Sequence, residues 1–303
     1  MRVGTRRSAL ALTQARLVCD RLKISQHVEC EIVPIITRGD RGEAVEDKSR
    51  WVAELEQALL DGRVDLAVHS AKDVPGELAE GLSLLGAPAR AAPGDVICGA
   101  SGLDALEAGA RVGTSSIRRV AQLRAAREDL ELVAVRGNVD TRLRKLADGA
   151  ERLDAIVLAH AGLQRLGRES EIGGELDLER FVPAPGQGIL ALEGRAGDAR
   201  VQDVVNAITD RRAFACLLAE RALAAGLSAT CHTPLGAHAS PGADSMLLLR
   251  AWVGLPDGSA WASDELMGSI SEPEALGRSV AARLKRIGAG ELLSRAQEMA
   301  LTA

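Results

Sequence analysis

The amino-acid sequence predicts an α/β fold with mostly parallel sheets, followed by a small α+β domain at the C-terminal end. Short apolar strand patterns alternate with helix patterns through the first two thirds of the 303 residues. The sequence Arg-Val-Gly-Thr occurs at residues 2–5 and again at 111–114, each time before a polar helix start, which predicts two similar domains. The pattern changes character at about residue 211, where the smaller domain is expected to begin.

The α/β part of the chain contains strand runs, helix patterns and two candidate linkers. The strands are short runs rich in Val, Ile and Leu at 28–35, 65–69, 82–86, 132–135 and 154–159. Apolar residues recur at helical spacing over 11–22 and 51–59, and another helix pattern follows at 201–208. Two segments rich in Pro and Gly, 88–94 and 183–188, are either connections between domains or ordinary surface loops.

The C-terminal part of the chain predicts a helix, a hairpin and a second helix. A helix pattern runs over 214–225. Two β-like stretches, 246–254 and 260–267, flank Pro256-Asp257-Gly258, which is a strong turn signal. A helical region follows over 274–287. This order of elements is typical of a small α+β domain.

Composition excludes several classes of function. The net charge is −5 and aromatic residues are 2% of the chain, with no Tyr, which argues against nucleic-acid binding. There is no run of about 18 apolar residues, so no membrane span is expected. The N-terminus is not followed by an apolar segment, so no secretory signal is expected either. Five cysteines without a C-x-x-C motif, and histidines without metal-ligand spacing, indicate a cytoplasmic protein without a metal site.

The second copy of the repeated sequence leads into a helix start that carries a strong charge signal. Thr114, Ser115 and Ser116 precede the helix, and their hydroxyl groups can cap it or donate to a ligand. Arg118 and Arg119 follow in the first turn, where cations oppose the helix dipole unless an anion is bound. The pattern indicates an anion site or, alternatively, a capped helix whose arginines are solvated.

The distribution of charge favours the anion site. Residues 111–145 contain eight Arg and one Lys against four acidic residues, a net charge of +5 within a chain whose total is −5. Arg136 follows a strand pattern and Arg142 lies on a helix pattern, and Arg binds carboxylates in bidentate geometry better than Lys does. Since the segment has no phosphate-loop or dinucleotide motif, we expect an anionic ligand of limited size.

Two further segments place chemically active side chains in a turn and in a loop. Asp73 follows the apolar strand that ends near His69, and ligands bind at the carboxyl ends of parallel strands. Its carboxylate either accepts hydrogen bonds from a cationic or N–H-bearing reactant or simply forms the turn before Val-Pro. Cys231 lies in a polar loop, whereas the other four cysteines resemble core residues. Cys231 is therefore either a functional thiol or an ordinary loop cysteine.

These segments together resemble the hydroxymethylbilane synthase family, also called the porphobilinogen deaminases. The resemblance covers nearly the whole chain and keeps the order of seven motifs. The motifs are Gly4-Thr5-Arg6-Arg7-Ser8-Ala9-Leu10-Ala11, Thr37-Arg38-Gly39-Asp40, 69–75, 113–119, 136–142, 185–188 and 231–236. No single motif is decisive, but seven in order and at suitable spacing are highly specific.

The resemblance implies two α/β domains that resemble periplasmic binding proteins and are joined by two crossing hinges, plus a small C-terminal α+β domain. The expected boundaries are 1–90 with 189–209, then 91–188, and then 210–303. Enzymes of the family are transferases that deaminate and condense four porphobilinogen molecules head to tail into linear hydroxymethylbilane, in the biosynthesis of haem and other tetrapyrroles. The resemblance further implies a monomer and a dipyrromethane cofactor held by a thioether to Cys231.

The resemblance also implies a role for each matched side chain. Asp73 would be catalytic, accepting hydrogen bonds from pyrrole N–H groups and stabilising the azafulvene cation that remains when ammonia leaves. The cofactor-binding residues would be Cys231, Lys72, Asp73, Thr114, Ser115, Ser116, Arg118, Arg119 and Arg136. The substrate-binding residues would be Arg6, Ser8, Ser70, Arg142, Gln187 and Lys48. Each pyrrole brings an acetate and a propionate, so a cleft rich in Arg suits the growing chain.

Two segments depart from the family pattern. Residues 46–51 keep a Lys and an aromatic residue but lack the glycines of the family's mobile loop, and 92–95 reads Ala-Pro-Gly-Asp in place of Asp-Pro-Arg-Asp. We expect the first segment to remain mobile, with Lys48 either available to a carboxylate or simply solvated. A carboxylate-binding protein or the effector domain of a regulator would share the hinged domains, but would not require Cys231 or Asp73.

Overall fold

Three β-sheets organise the part of the chain that the structure describes, which comprises residues 1–37, 49–230 and 233–302. In this computed structural model two sheets have five strands each and the third has three. We call the units built on these sheets the first domain, the second domain and the C-terminal domain. The first and second domains have the same arrangement of strands, as the repeated Arg-Val-Gly-Thr sequence predicted.

The first domain combines five strands with three helices. The strands are β1 (Arg2–Arg6), β2 (Glu31–Ile35), β3 (Leu66–Ser70), β4 (Leu82–Gly86) and β10 (Leu190–Arg195), in the order β2-β1-β3-β10-β4. The helices are α1 (Ala9–Gln26), α2 (Ser49–Leu60) and α6 (Ala199–Asn206). The apolar stripe of α1, including Val18 and Leu22, packs against Val3 and Leu66 of the sheet in one buried core.

The second domain repeats this plan. The strands are β5 (Asp95–Cys98), β6 (Arg111–Gly113), β7 (Glu131–Val133), β8 (Ala155–Ala159) and β9 (Gly174–Glu175), in the order β7-β6-β8-β5-β9. The helices are α3 (Ile117–Ala126), α4 (Val139–Ala147) and α5 (His160–Arg165). Leu123 of α3 belongs to one core with Val157, and Leu143 of α4 belongs to another with Ile156, so helices cover both faces of the sheet.

Each α/β sheet contains one strand that arrives from the other domain. The chain leaves the first domain after β4, enters the second as β5, and returns as β10. Both arriving strands are antiparallel to their neighbours, whereas β1–β3 and β6–β8 pair in parallel. The prediction of mostly parallel sheets is confirmed, since four of the five strands in each sheet run in one direction and β5 and β10 are the exceptions. Both crossings reach the edge where the parallel strands end, so a strand that starts there must run in the reverse direction.

The C-terminal domain packs a three-stranded antiparallel sheet against helices. Its elements are α7 (Arg211–Gly226), β11 (Leu235–Pro241), β12 (Met246–Gly254), β13 (Trp261–Ser269), α8 (Pro273–Arg286) and α9 (Ala289–Thr302). Leu249 and Ala251 of the sheet share a buried core with Leu223 of α7 and Val280 of α8. The sequence did not predict β11 or α9; β11 is rich in Gly and Ala rather than in β-branched residues.

The predicted elements overlap the observed ones: two strands, 82–86 and 246–254, match at both ends, and the ends of the others differ by up to four residues. The two Pro/Gly-rich segments are the connections between the α/β domains, which confirms the prediction of two crossings. Within the described parts of the chain, the helices are too short or too polar to span a bilayer.

Candidate active site

The carboxyl ends of β1 and β3 form the first-domain side of the site. A small cavity of about 80 Å³ lies there, and its lining includes Arg6, Ser8, Gln14, Ser70 and Asp73. The sequence predicted four of these residues as site residues, and the structure brings them to one edge of the sheet. This is the edge at which parallel α/β sheets bind ligands.

Local contacts orient the hydroxyl groups of this cavity. Ser8 caps α1, since its Oγ accepts a hydrogen bond from the backbone N–H of Ala11 at 3.3 Å. Ser70 Oγ lies 2.8 Å from Nε2 and 3.2 Å from Oε1 of the buried Gln14 amide. Gln14 was not predicted as a site residue. Its signal in the sequence was a polar side chain on the apolar face of α1, where a buried amide needs a partner.

Asp73 lies in a 3-10 turn, Ala71–Asp73, directly after β3. Backbone bonds hold this turn: Ala71 N–H donates to Ile189 O at 2.9 Å, and Val74 N–H donates to Ala71 O at 3.1 Å. Asp73 lines the cavity, whereas the Nζ of its neighbour Lys72 lies 3.4 Å from Oε1 of Gln187 on the second crossing segment. The two adjacent side chains therefore contact different parts of the site: Asp73 lines the cavity, and Lys72 faces the second crossing segment.

On the second-domain side, the arginines of α3 are buried against an internal carboxylate. Arg118 and Arg119 are 3% and 7% exposed, and each donates from Nη2 to one oxygen of Asp95 at 2.7 Å. Burial by itself would raise the pKa of Asp95, but the two guanidinium groups outweigh burial and hold the pKa well below the usual range. The alternative of solvated arginines is therefore wrong, because both side chains are buried. Strand β5 supplies them with a structural carboxylate that the sequence did not predict.

The arginines nevertheless retain unused donors and an excess of charge. The Nε–H groups of Arg118 and Arg119 are buried and have no hydrogen-bond partner among the described residues. Burial, together with the nearby charge of Arg119, lowers the pKa of Arg142 to about 10. Arg142 donates from Nε to Gly137 O at 2.8 Å. Two guanidinium groups thus bind one carboxylate, and the charge of a third acts on them.

The N-terminus of α3 has no side-chain cap. Ser116 occupies the N-cap position, but its hydroxyl makes no capping hydrogen bond. Thr114 is buried, and its Oγ1 accepts from Ser116 N–H at 3.2 Å, whereas Ser115 is exposed. The hydroxyl of Ser116 therefore does not compete with an anion for the N–H groups of the first turn. Arg136 is exposed between β7 and α4.

Gln187 connects the two sides of the site. Its side chain is 1% exposed, and Nε2 lies 2.8 to 3.1 Å from Pro93 O, Gly94 O and Asp95 Oδ1, while Oε1 faces Lys72. The sequence predicted a substrate contact for Gln187, but in the structure the amide is engaged with protein groups. The series Lys72–Gln187–Asp95 links the Asp73 turn to the arginines of α3.

Arg165, at the end of α5, is a residue between the α/β domains that the sequence did not reveal. It donates from Nη2 to Gly188 O on the second crossing segment at 2.7 Å. Burial, together with the charge of Arg21 on α1, lowers its pKa to about 10. Its position at a domain junction arises only from the fold, so the sequence pattern carried no signal for it.

Helix α7 of the C-terminal domain holds both crossing segments. The buried carboxylate of Glu220 pairs with Arg90 on the first crossing at 2.6 Å and accepts the N–H of Gly186 on the second at 2.6 Å. It also accepts the N–H of Ala239 at 2.7 Å. Burial raises the pKa of Glu220, and the charge of Arg90 opposes that effect. This junction ties the C-terminal domain to the hinge between the other two.

Two predicted site residues, Cys231 and Lys48, lie outside the described residues. Next to Cys231, the backbone N–H of Thr230 donates to Thr233 Oγ1 at 2.8 Å. The four described cysteines are free thiols. Burial raises the pKa of each, to about 12 for Cys19 and Cys216 and about 11 for Cys98. These four are therefore poor nucleophiles at neutral pH.

Comparison with known proteins gives one consistent family. The family model described as "porphobilinogen deaminase, dipyromethane cofactor binding domain" matches residues 1–203, and "porphobilinogen deaminase, C-terminal domain" matches 214–286. A protein named porphobilinogen deaminase from Xanthomonas axonopodis pv. citri is 45% identical, covering 97% of this chain and 98% of its own. A protein of the same name from Thermus thermophilus is 44% identical, covering 96% and 97%.

Solved structures give a weaker likeness. The periplasmic VFT2 domain of BvgS from Bordetella pertussis aligns with a TM-score of 0.41 and 19% identity, covering 69% of this chain and 86% of that chain. The methionine binding protein MetQ aligns with a TM-score of 0.43 and 15% identity, covering 75% and 93%.

Proposed function

The chain belongs to the porphobilinogen deaminase family, whose function lies in tetrapyrrole biosynthesis, and we propose that its cleft holds a growing pyrrole chain between Asp73 and the arginines of α3. The reaction joins four porphobilinogen molecules head to tail into hydroxymethylbilane and releases ammonia at each addition. The observation that carries this proposal is the direct series Lys72–Gln187–Asp95, which sets the Asp73 turn opposite Arg118 and Arg119.

The second-domain side fits a dipyrromethane cofactor, which carries acetate and propionate groups. The buried Nε–H groups of Arg118 and Arg119 have no partner in the described part of the chain, and α3 has no side-chain cap. A carboxylate placed there would satisfy orphaned donors and offset the excess charge of Arg142. We assign Thr114, Ser115, Ser116 and Arg136 to the same role. When bound, the cofactor supplies the pyrrole carbon to which the first substrate unit is joined.

We assign the catalytic role to Asp73. Its carboxylate lies at a strand end and lines the cavity with Arg6 and Ser70. It accepts hydrogen bonds from the pyrrole N–H groups of the incoming unit. It thereby stabilises the positive charge that develops on that unit when its C–N bond to ammonia breaks. This is electrostatic stabilisation of a cation by a fixed carboxylate in a partly buried site.

The first-domain side would bind the carboxylates of the incoming unit. Arg6, at the end of β1, supplies positive charge there, and the hydroxyl groups of Ser8 and Ser70 are already oriented by Ala11 and Gln14. Lys48 and Arg142 are proposed to hold carboxylates of the growing chain, and Gln187 to hold the crossing segments around it. We also propose a cytoplasmic monomer and the domain boundaries 1–90 with 189–209, 91–188 and 210–303.

We propose that Cys231 carries the cofactor through a thioether. Burial raises the pKa of the other four thiols, which makes them poor nucleophiles and leaves Cys231 as the cysteine to test. Attachment to Cys231, which follows α7, would place the cofactor on the domain whose Glu220 binds both crossing segments.

Mass spectrometry of the purified protein and its tryptic peptides tests this assignment. Wild type and the control Cys19→Ser should carry the added mass of two pyrrole units on the Cys231 peptide and should colour with acidic dimethylaminobenzaldehyde. Cys231→Ser should show neither signal and no turnover of porphobilinogen. An unmodified Cys231 peptide from active enzyme would exclude the attachment.

A further inference from the structure

A buried acid and a buried imidazole lie behind the Asp73 turn. His69 is the next-to-last residue of β3, and Glu193 lies on the adjacent strand β10. His69 Nε2 and Glu193 Oε2 are 2.8 Å apart, and the two side chains are 3% and 0% exposed. The two atoms lie within ion-pair distance, and neither makes a hydrogen bond of good geometry with any of the described residues. Val68 packs with α1, so by strand alternation His69 faces the opposite side of the sheet.

Stability alone does not account for this pair. The buried acid of the second domain's arriving strand, Asp95, receives hydrogen bonds from Arg118, Arg119 and Gln187. Both carboxylate oxygens of Glu193, in contrast, are buried without a hydrogen-bond partner among the described residues. A buried carboxylate with so few partners is costly, and an apolar pair of similar volume would commonly be as stable or more so.

Charged groups from two further elements face the pair. Glu56 of α2 accepts the N–H of Ala79 at 3.2 Å; burial raises its pKa, Glu193 adds to this and His69 opposes it. Arg221 of α7 donates to Pro75 O and Gly76 O, each at 2.8 Å. Burial lowers the pKa of Arg221, and the charge of Glu193 opposes that. The pair thus belongs to a polar cluster that also contacts Pro75 and Gly76, the residues that follow the Asp73 turn.

Strand β10 also sets where the Asp73 turn begins. Leu190 is in register with Ser70, and Ala71 N–H donates to Ile189 O. His69 lines the same cavity as Asp73. Any shift of β3 against β10 would therefore displace the Asp73 carboxylate, and a displacement of about 1 Å at a reacting group lowers rates by as much as ~10²-fold.

We propose that His69 and Glu193 are a positioning pair for the condensation reaction. Their close buried contact joins the end of β3 to β10 and so sets the place of the Asp73 carboxylate. Glu193 does not touch substrate and acts through His69 and the strand end. The proposal rests on the assigned role of Asp73.

The test separates position from charge at Glu193. Glu193→Gln keeps the length of the side chain and its contact with Nε2 but removes the charge, and kcat should stay within about threefold of wild type. Glu193→Asp keeps the charge but withdraws the carboxylate by about 1.5 Å, one C–C bond. Its kcat should fall about 10- to 100-fold. KM for porphobilinogen should stay within about twofold in both, in holoenzyme whose two pyrrole units are verified by mass.

Asp65→Asn is the matched structural control. Asp65 immediately precedes β3 at the end away from the site, is 6% exposed, and pairs with Arg2 at 2.8 Å. This variant should melt at a lower temperature with kcat within about twofold of wild type. Wild-type kcat in Glu193→Asp, the reverse order of the Asp and Gln variants, or an equal kcat loss in Asp65→Asn would each overturn the proposal.

If Glu193→Asp fails to fold or to load its cofactor, a double variant tests the positioning role instead. His69→Leu/Glu193→Leu replaces the pair by apolar side chains and should remain stable. Reduced kcat at unchanged KM supports positioning, and wild-type kcat overturns it. Asp73→Asn is measured in parallel: full turnover there would refute the role of Asp73, whereas a slow Asp73→Asn beside a fully active Glu193→Asp would refute the positioning pair alone.

Discussion

The two α/β domains have the same strand order but distribute their charges differently. In each, the strand that arrives from the other domain carries a buried acid, Asp95 on β5 and Glu193 on β10. Asp95 is bound by two guanidinium groups and an amide, whereas Glu193 contacts one imidazole. The concentrated arginines belong to the second domain, and the carboxylate that lines the cavity, Asp73, belongs to the first.

The N-termini of the equivalent helices α1 and α3 also differ. Ser8 caps α1 with its own side chain, whereas Ser116 leaves the start of α3 without a side-chain cap. One topology thus serves two tasks: the second domain presents donors and positive charge to an anionic chain, and the first presents a carboxylate to a developing cation. We expect substitutions in the first domain to affect mainly the chemical step, and those in the second to affect mainly stability and cofactor assembly.

The largest expected effect is on turnover in Asp73→Asn. Removing the charge should lower kcat by about 10²–10⁴-fold, the usual scale for one key electrostatic or acid–base group. The melting temperature and the mass of the bound pyrrole units should change little, because Asp73 is only partly buried at the surface of the cavity. Steady-state kinetics on mass-verified holoenzyme measure this. Near-normal turnover would show that Asp73 does not stabilise the developing cation, and the proposed division of tasks between the two domains would then be wrong.

In the second domain, Asp95→Asn should mainly lower stability. The change leaves Arg118 and Arg119 buried without a carboxylate, which destabilises proteins by about 3–5 kcal/mol. Urea unfolding of the ligand-free protein measures the loss. Because the folded pKa of Asp95 is lowered, its contribution is present above the unfolded pKa of about 3.9 and disappears as the pH falls below it.

The pH dependence gives an independent check of Asp95→Asn. The wild-type free energy of unfolding should fall as the pH drops from about 5 to 2, and the variant should lose part of that slope. Other carboxylates contribute to the slope in both proteins, so the informative quantity is the difference between them. Parallel pH curves would mean that the Asp95 carboxylate is not held by the arginines in solution.

A smaller effect on stability, with a large effect on the cofactor, is expected when either arginine is replaced. In Arg118→Leu or Arg119→Leu, Asp95 keeps one guanidinium group, so the ligand-free fold should survive with a loss of about 1–3 kcal/mol. Incorporation of two pyrrole units, measured by intact mass, should be impaired in both. Arg124, exposed on the same helix, provides the control Arg124→Leu. Unfolding of the ligand-free variants would assign the two arginines a purely structural role.

Much of the fold could be predicted because its signal is local. The spacing of Ala15, Val18 and Leu22 identifies α1 from one element alone, and the repeated Arg-Val-Gly-Thr identifies two similar domains. The direction of β5 and β10 could not be predicted in this way, since it depends on which edge of the sheet the crossings reach. Alternation of apolar residues is the same for a parallel and an antiparallel strand.

In the candidate site, too, residues with a local signal were predicted, and contacts between distant parts of the chain were not. Asp73 was found because it follows a strand pattern and strand ends gather at one edge, whereas Ser70 and Arg6 were assigned from the resemblance to the family. The pairing of Arg118 with Asp95, 23 residues earlier, was missed because no periodicity relates α3 to β5. Gln187 was assigned to the substrate for a similar reason: its protein partners lie more than ninety residues away along the chain.

The smallest predicted effect tests whether the two domains respond independently. Gln14 on α1 and Gln122 on α3 occupy equivalent helices and are each 2% exposed. Gln14 contacts Ser70 at 2.8 Å, and Gln122 accepts from Arg118 Nη1 at 2.9 Å and donates to Val182 O at 3.1 Å. Gln14→Leu and Gln122→Leu should each lower the free energy of unfolding by about 1 kcal/mol, because each removes a modest net contribution from buried hydrogen bonds. Since the two sites share no partner, the double variant should equal the sum within about 0.5 kcal/mol in urea unfolding. A larger coupling would mean that the Lys72–Gln187–Asp95 series transmits strain between the domains, so that their charges could no longer be treated as separate systems.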